Sequence, residues 1–333
     1  MDIRYRQFDE YQAVDIARLR PGGSYKALIE KRTHPIDELV ARFGRIPPEL
    51  LHERPCPTCG STERGLELEK DHMEIVRCRA CDLVYVSPTF DEEHYQRVYA
   101  SKEYQDIVRD LGISSHEYRV QRFGQERVGL MAAHLRDTAA PPRYLDIGCS
   151  TGFVVEAAQQ RGWDARGIDL NPSAIEYGRS RGLTLDAVGL EDARLEPGSL
   201  DAVSLFDVIE HLFDPIRTLT SCVRLLAPGG ILFVYVPNYD SASRLLMGKH
   251  AHFIWPTHHL NYYTPRTLSD LMRRLDLKPE LVVTEGLDMQ DYLWYRREVL
   301  EKSDEGVAEI ADVVQFLANA GAYGKNLRMI ARR

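Results

Sequence analysis

The chain has 333 residues, with 42 Lys or Arg against 50 Asp or Glu, a formal net charge of -8. That balance counts against nucleic acid as a principal partner, since such binders are usually basic, and no apolar run approaches the ~20 residues that span a bilayer. With 44% hydrophobic and 28% charged residues the chain can fill a sizeable core beneath a polar surface. The charged opening, MDIRYRQFDEYQ, is unlike a secretory signal, so cytoplasm is the expected compartment.

Residues 1–54 are expected to form an N-terminal helical segment. Apolar periodicity marks Asp9–Leu19 and Pro35–Phe43, with Pro21-Gly22-Gly23 between them and Pro47-Pro48 after the second. No chemistry can be assigned to it. Four of the six cysteines then fall into two C-x-x-C pairs, Cys56/Cys59 and Cys78/Cys81. Four thiolates from two such knuckles can converge tetrahedrally on Zn²⁺ at ~2.3 Å, a closed and therefore structural site. Leu66–Arg77 alternates as a hairpin should, and Leu83–Pro88 closes a small ribbon over 55–88. So small a module needs its metal to fold. Iron would accept the same ligands, but nothing else suggests redox chemistry.

Residues 89–140 read as a helical linker or cap. Tyr95, Tyr99 and Tyr104 recur at near-helical spacing, either as an aromatic cover for a ligand or as core packing. Glu117–Leu135 reads as one long amphipathic helix. The strand-like Tyr144–Ile147 then runs into the turn Gly148-Cys149-Ser150-Thr151-Gly152 and the helix Phe153–Gln160. Trp163–Ile168 is a second strand, with Asp169 at its end. Glycines at a strand-to-helix turn let a ligand approach the backbone, and an acid at the next strand's end can accept both hydroxyls of a ribose. An ordinary ligand-free turn is the plainer alternative.

The stretch LDIGCSTG…GIDLNP resembles the cofactor motif of class I S-adenosylmethionine-dependent methyltransferases, usually D/E-x-G-x-G-x-G, with Ser150 standing where the middle glycine would. The resemblance implies an α/β fold: a doubly wound, Rossmann-like seven-stranded methyltransferase sheet with an antiparallel last strand, preceded by the small zinc ribbon. That domain would occupy 141–333, with substrate insertions at 239–263 and 287–324. It implies S-adenosyl-L-methionine as cofactor, held by Asp146, Gly148, Cys149, Ser150, Gly152, Asp169, Leu170, Leu190, Glu191 and Phe206. Glu191 and Asp192 are equally placed to accept from an adenine amino group.

Further strands are expected at Leu183–Val188, Leu200–Phe206, Ile231–Val236, Leu281–Glu285 and Lys325–Ala331. Asn171-Pro172, Asp214-Pro215 and Thr264-Pro265 are helix starts, with Gly229-Gly230 ending the second helix and Asp288–Ala320 helical throughout. Asp207, Glu210 and His211 would share one face of a helical turn. DVIEHLFDP resembles the E-x-x-E-H segment of ubiquinone-biosynthesis O-methyltransferases, where such residues can hold a divalent cation. Three readings stay open: a structural helix start, a base (His211) with its orienting acid (Glu210), or a cation held by Asp207, Glu210 and His211. In KHAHFIWPTHHLNYY, His258 or His259 could also act as base.

A ribbon ahead of such a domain resembles methyltransferases of surface-polysaccharide sugars and secondary metabolites. The expected reaction is O-methylation of a small molecule or saccharide. One alternative is a zinc-ribbon RNA methyltransferase, disfavoured because Arg64, Lys70, Arg77 and Arg79 are outnumbered by Glu63, Glu67, Glu69, Asp71, Glu74 and Asp82. Another is a non-catalytic cofactor-binding protein that docks a partner. Oligomeric state is not legible.

Overall fold

The computed structural model describes residues 7–20, 34–137 and 139–333; Pro21-Gly22-Gly23 lies outside them. Among the described residues eleven strands follow in chain order: β1 Arg64–Lys70, β2 Met73–Cys78, β3 Val84–Val86, β4 Arg143–Ile147, β5 Asp164–Ile168, β6 Leu185–Asp186, β7 Leu200–Phe206, β8 Leu226–Pro237, β9 Asn261–Tyr262, β10 Lys278–Glu285 and β11 Asn326–Arg332.

The larger sheet runs β10-β11-β8-β7-β4-β5-β6. β4 to β8 pair in parallel, and β11 enters antiparallel between β8 and β10. This is the seven-stranded order expected, with the last strand reversed. Its central strands are buried on both faces, as a parallel sheet covered by helices requires. On one face Leu219, Leu268 and Met272, from the helices Pro215–Leu225 and Pro265–Arg274, pack on Leu145, Val203 and Leu205. On the other, Val128, Met131 and Val154 cover Tyr144 and Phe233. Asn171, Asp214 and Thr264 cap three helices as expected, each accepting the backbone N–H three residues on. Each cap adds about 1 kcal/mol, little beside the core.

Several local expectations give way. Leu183–Val188 contracts to the two residues of β6. Gly229-Gly230 does not end a helix: Pro215–Leu225 stops earlier, and both glycines lie inside β8, where its register against β7 slips. Glu117–Leu135 is interrupted by a π-helical turn over Val120–Gly124. Asp288–Ala320 is two helices, Asp288–Glu298 and Ala311–Ala320, with a break between them.

The cysteine module folds as a ribbon. β1 and β2 are joined through Asp71-His72, both at positive φ (49° and 59°), the two-residue hairpin turn that matches strand twist. The Cys56 and Cys81 sulfurs, and those of Cys59 and Cys78, are each 3.5 Å apart. All four lie within 4.8 Å of one another. Tetrahedral thiolates around zinc sit about 3.8 Å apart, so the donor set fits. The ribbon is not a separate body. Cys56, Cys78 and Tyr85 belong to the same core as Leu145 and Leu205, and its sheet, β1-β2-β3-β9, takes its fourth strand from the histidine-rich segment.

That fourth strand reaches the centre of the molecule. The Leu260 and Asn261 N–H groups both donate to the Glu210 carbonyl, at 2.7 and 3.0 Å. The Asn261 amide donates to the Ile209 and Leu212 carbonyls and accepts from Arg54 at 2.6 Å. Burial pulls the Arg54 guanidinium down to about 10. Ribbon, strand and 207–211 turn are thus one bonded chain. Among the described residues no helix is long and apolar enough to cross a membrane.

Candidate active site

The glycine turn at the carboxyl end of β4 is fixed by close approach. Gly148 (φ 74°) and Gly152 (φ 80°) are left-handed, and a Cβ on Gly148 would sit 2.5 Å from the Val208 side chain. The Gly148 and Cys149 N–H groups donate to the Ile168 carbonyl at 2.8 and 3.1 Å. Ser150 shares the left-handed conformation at φ 50°, which explains why glycine is usual there. For an L-residue this costs about 1–2 kcal/mol. Ser150→Gly is therefore expected to raise the melting temperature by about 2 °C, less whatever glycine adds to unfolded-chain entropy. A thermal melt that falls would show the serine is not strained.

Asp169 holds the turn from outside. Its carboxylate accepts from the Ser150 N–H and the Asn171 N–H, both at 2.8 Å, and burial raises its pKa. A carboxylate has about four lone-pair sites, so acceptor capacity remains for a ligand. Asp146 is deeper: Ser204 donates to it at 2.6 Å, Ser204 and the Tyr144 hydroxyl are also bonded, and burial pushes it up to about 7. The helix Lys102–Ser114 lies over the turn, with Gly112 so close that a Cβ would meet Thr151 at 2.8 Å.

The other expected cofactor residues separate into two groups. Leu170 is exposed (66%), and Leu190 and Glu191 lie on a 3₁₀ turn, where Glu191 accepts from Ser221. Cys149 and Phe206 are buried, Phe206 edge-on to Phe233 and beneath the Arg127 guanidinium. Both belong to the core that packs beneath the glycine turn.

Beside the glycine turn, beyond the carboxyl ends of β7, β8 and β10, lies a cavity of about 380 Å³. Glu210, His211 and His259 line it. A carboxylate oxygen and one ring nitrogen from each histidine lie within 4.8 Å of one another. Asp207 is not in this group. The expected helical turn is instead a left-handed residue, Asp207 at φ 56°, followed by a tight turn; Asp207 lines the same cavity but is not among the clustered ligand atoms. The side chains close enough together to share a cation here are Glu210, His211 and His259, where the sequence pointed to Asp207, Glu210 and His211.

His211 Nδ1 is 2.9 Å from the Tyr99 hydroxyl and 3.0 Å from the His258 carbonyl, and Tyr99 itself reaches that carbonyl at 3.1 Å. The proton arrangement satisfying all three puts hydrogen on Nδ1. His259 Nδ1 likewise donates to the Phe253 carbonyl at 2.8 Å. Both rings are therefore held in the tautomer whose Nε2 ligates. Burial lowers His211 to about 4. Glu210 is 1% exposed, neither oxygen has a hydrogen-bond partner, and burial raises its pKa well above the carboxylate range.

His258 does not join this group. It is stacked between Trp255 (3.8 Å) and Tyr104 (5.6 Å), bonded to Thr257, and absent from the cavity wall. Of the tyrosines considered, Tyr104 lines the cavity, Tyr99 orients His211 and Tyr95 is core. The sequence reading missed Tyr11, Arg20, Arg119 and Arg127, which also line it. Arg119 and Arg127 flank the π-helical turn Val120–Gly124, so no regular helical spacing in the sequence marks them as a pair.

The model of the methyltransferase domain family matches residues 117–282, from the helix before β4 into β10. Just under half of the chain is thus similar to a methyltransferase domain. Over 161 residues it is 34% identical to the ubiquinone biosynthesis O-methyltransferase of Cereibacter sphaeroides, an alignment covering 43% of this chain and 65% of that protein. The same enzyme of Xanthomonas oryzae pv. oryzae is 32% identical over 154 residues, 42% of this chain and 64% of the relative. The chain thus spans somewhat less than two thirds of the curated relatives it matches. Among solved structures, the 1,6-didemethyltoxoflavin-N1-methyltransferase of Burkholderia thailandensis superposes with a TM-score of 0.49 at 14% identity, covering 80% of this chain and 98% of that one. In sequence order the methyltransferase domain contributes the glycine turn, Asp169 and the 207–211 turn, and β9 of the ribbon sheet falls inside its matched span.

Proposed function

We propose that the chain is an S-adenosylmethionine-dependent methyltransferase that O-methylates a small molecule or saccharide. The observation that carries this reading is the Glu210–His211–His259 group in the wall of a cavity beside the glycine turn. Asp169 would accept from the ribose hydroxyls, the Gly148–Gly152 turn would face the methionine portion, and the 190–192 turn would border the adenine. The sulfonium brings an activated methyl group, so the protein's work is to align an acceptor oxygen ~3–3.5 Å from it and exclude water.

Between base and cation, the geometry favours the cation. A base is most effective with a pKa near the working pH, and His211 at about 4 lies well below it. A buried carboxylate with no partner costs several kcal/mol unless it is protonated or coordinated. Two histidines held in ligating tautomers and one unpartnered carboxylate form a donor set suited to a divalent ion. When bound, such an ion would acidify an acceptor hydroxyl. Tyr99 and the Phe253 and His258 carbonyls would fix the rings, while Trp255 and Phe253 would wall the acceptor from water. We assign structural zinc to Cys56, Cys59, Cys78 and Cys81, and propose 55–88 as the ribbon and 239–263 as the acceptor loop.

The test is transfer of labelled methyl to phenols, nucleotide sugars, glycans and RNA, with and without added Mg²⁺, Mn²⁺ or Zn²⁺. Glu210→Gln is expected to lower turnover at least tenfold while cofactor affinity holds. Transfer to RNA alone would replace this reading with the nucleic-acid one, and full activity of the variant would remove Glu210 from the chemistry.

A further inference from the structure

Three segments close on Thr151 in the glycine turn, and they take up both branches of its side chain. Its methyl group is the atom 2.8 Å from a Cβ placed on Gly112. Its carbonyl would meet a Cβ on Gly178, in the helix Pro172–Ser180, at 2.9 Å. Its hydroxyl is 2.9 Å from Nδ1 of His116, which opens the short helix His116–Arg119 just after the helix over the turn. The other ring nitrogen of His116 is 2.9 Å from Glu156, on the helix that follows the turn. Thr151 and His116 are both 1% exposed, and neither lines the cavity. Whatever His116 does for a ligand, it does through Thr151.

The partners fix the protons. Arg181 donates to Glu156 at 2.9 and 3.0 Å and, with His116, holds its carboxyl below the usual range. A carboxylate only accepts, so His116 Nε2 carries a hydrogen. Burial is the largest influence on the ring and lowers it below the ordinary histidine value; Glu156 and Glu117 oppose this and Arg181 assists it. Tyr177 meets the ring edge-on at 5.3 Å. The helix Ile16–Leu19, packed against His116–Arg119, brings Asp15 and Arg18 to Tyr118 rather than to His116. Near neutral pH the ring is therefore uncharged, and the Thr151 hydroxyl donates to Nδ1. Protonation would reverse that bond, and the Thr151 hydrogen would need another acceptor. Among the described residues it has none.

Resting on the methyltransferase reading above, we propose that His116 is a positioning residue for the cofactor turn, holding Ser150–Gly152 in its binding shape through the Thr151 hydroxyl. The turn needs such an anchor. Ser150 and Gly152 are both left-handed, and a serine keeps that conformation only where its surroundings impose it. Asp169 and the Ile168 carbonyl hold the turn to the neighbouring strand, and Thr151 is its hold on the helices that cover it. A ring lowered in the folded protein makes the neutral form the binding form. Cofactor affinity should therefore fall on the acid side of the ordinary histidine value of about 6.5.

The test is calorimetric titration of S-adenosylhomocysteine into wild type, His116→Ala, His116→Asn, Thr151→Val and the His116→Ala/Thr151→Val double variant, at pH 8 and pH 5.5. At pH 8 each single loss of the bond, in His116→Ala or Thr151→Val, should weaken binding about tenfold. The double variant should be no weaker than either, because the two residues share one bond; general loosening of the fold would add instead. His116→Asn puts an amide oxygen where Nδ1 stood and cannot titrate, so it should restore part of the affinity. Asp146 and Asp169, both raised by burial, also respond to acid, but they are present in every variant. Wild type should therefore lose more affinity at pH 5.5 than His116→Asn does. If His116→Ala fails to fold, Thr151→Val and the pH comparison still decide. Unmoved affinity in the variants, additive losses, or equal acid losses in wild type and His116→Asn overturn the proposal. Wild type that binds no S-adenosylhomocysteine defeats the cofactor reading and the proposal with it; normal wild-type binding with unmoved variants defeats the proposal alone.

Discussion

Asp169→Ala is expected to weaken S-adenosylmethionine and S-adenosylhomocysteine binding about 100-fold, measured by isothermal titration. The estimate follows from two hydrogen bonds to a charged acceptor, each about 1.5–3 kcal/mol; even their lower sum, about 3 kcal/mol, is two decades in affinity. The same carboxylate accepts from the Ser150 and Asn171 N–H groups, so the variant also loosens the turn. Asp169→Asn separates the two roles. Its amide oxygen can keep one backbone bond but lacks the charge, so it should recover much of the melting temperature and little of the affinity. Unchanged affinity in the alanine variant would take Asp169 off the ribose.

The second large effect concerns the ribbon. The protein should contain about one zinc per chain, and Cys78→Ser or strong chelation should remove it. The expected consequence is a melting temperature lower by more than 10 °C, or loss of soluble protein, because metal binding supplies the folding energy of such modules. The damage should not stay local. β3 pairs with β9, and the adjacent 260–261 backbone holds the Glu210 carbonyl. Any folded fraction should therefore lose methyl transfer more severely than cofactor affinity. A chain that keeps its melting temperature after complete zinc removal would refute this assignment.

What the sequence made legible follows from how local each cause is. The glycine turn, the capped helices and the knuckles are each written in a few adjacent residues, and β7 was readable to the residue because its apolar run is bounded by turn signals. Asp207 was misplaced because i, i+3, i+4 spacing predicts a shared face only if the segment is helical. One left-handed residue breaks that premise. Gly229-Gly230 looked like a helix end because the pair suits a C-cap equally well as a strand irregularity. His258 and His259 are neighbours in sequence with opposite fates, one stacked in aromatics and one in the cavity wall. No periodicity distinguishes them. Arg119 and Arg127 fell inside one expected helix, and only the fold supplied Phe206 and Tyr235 beneath Arg127.

The pairing of β3 with β9 also orders events during synthesis. Val84 and Tyr262 are partners across roughly 180 residues of intervening chain. At about 5–20 residues per second, some 10–35 s separate their emergence from the ribosome. The four cysteines and the pairings among the first three strands all lie within residues 55–88, so metal can be taken up as soon as that stretch is clear, before the contacts to Leu145 and Leu205 can form. Their sheet then waits with a bare edge at β3, the state in which strands are most open to wrong partners. Its closure coincides with the arrival of the histidine-rich segment that carries β9.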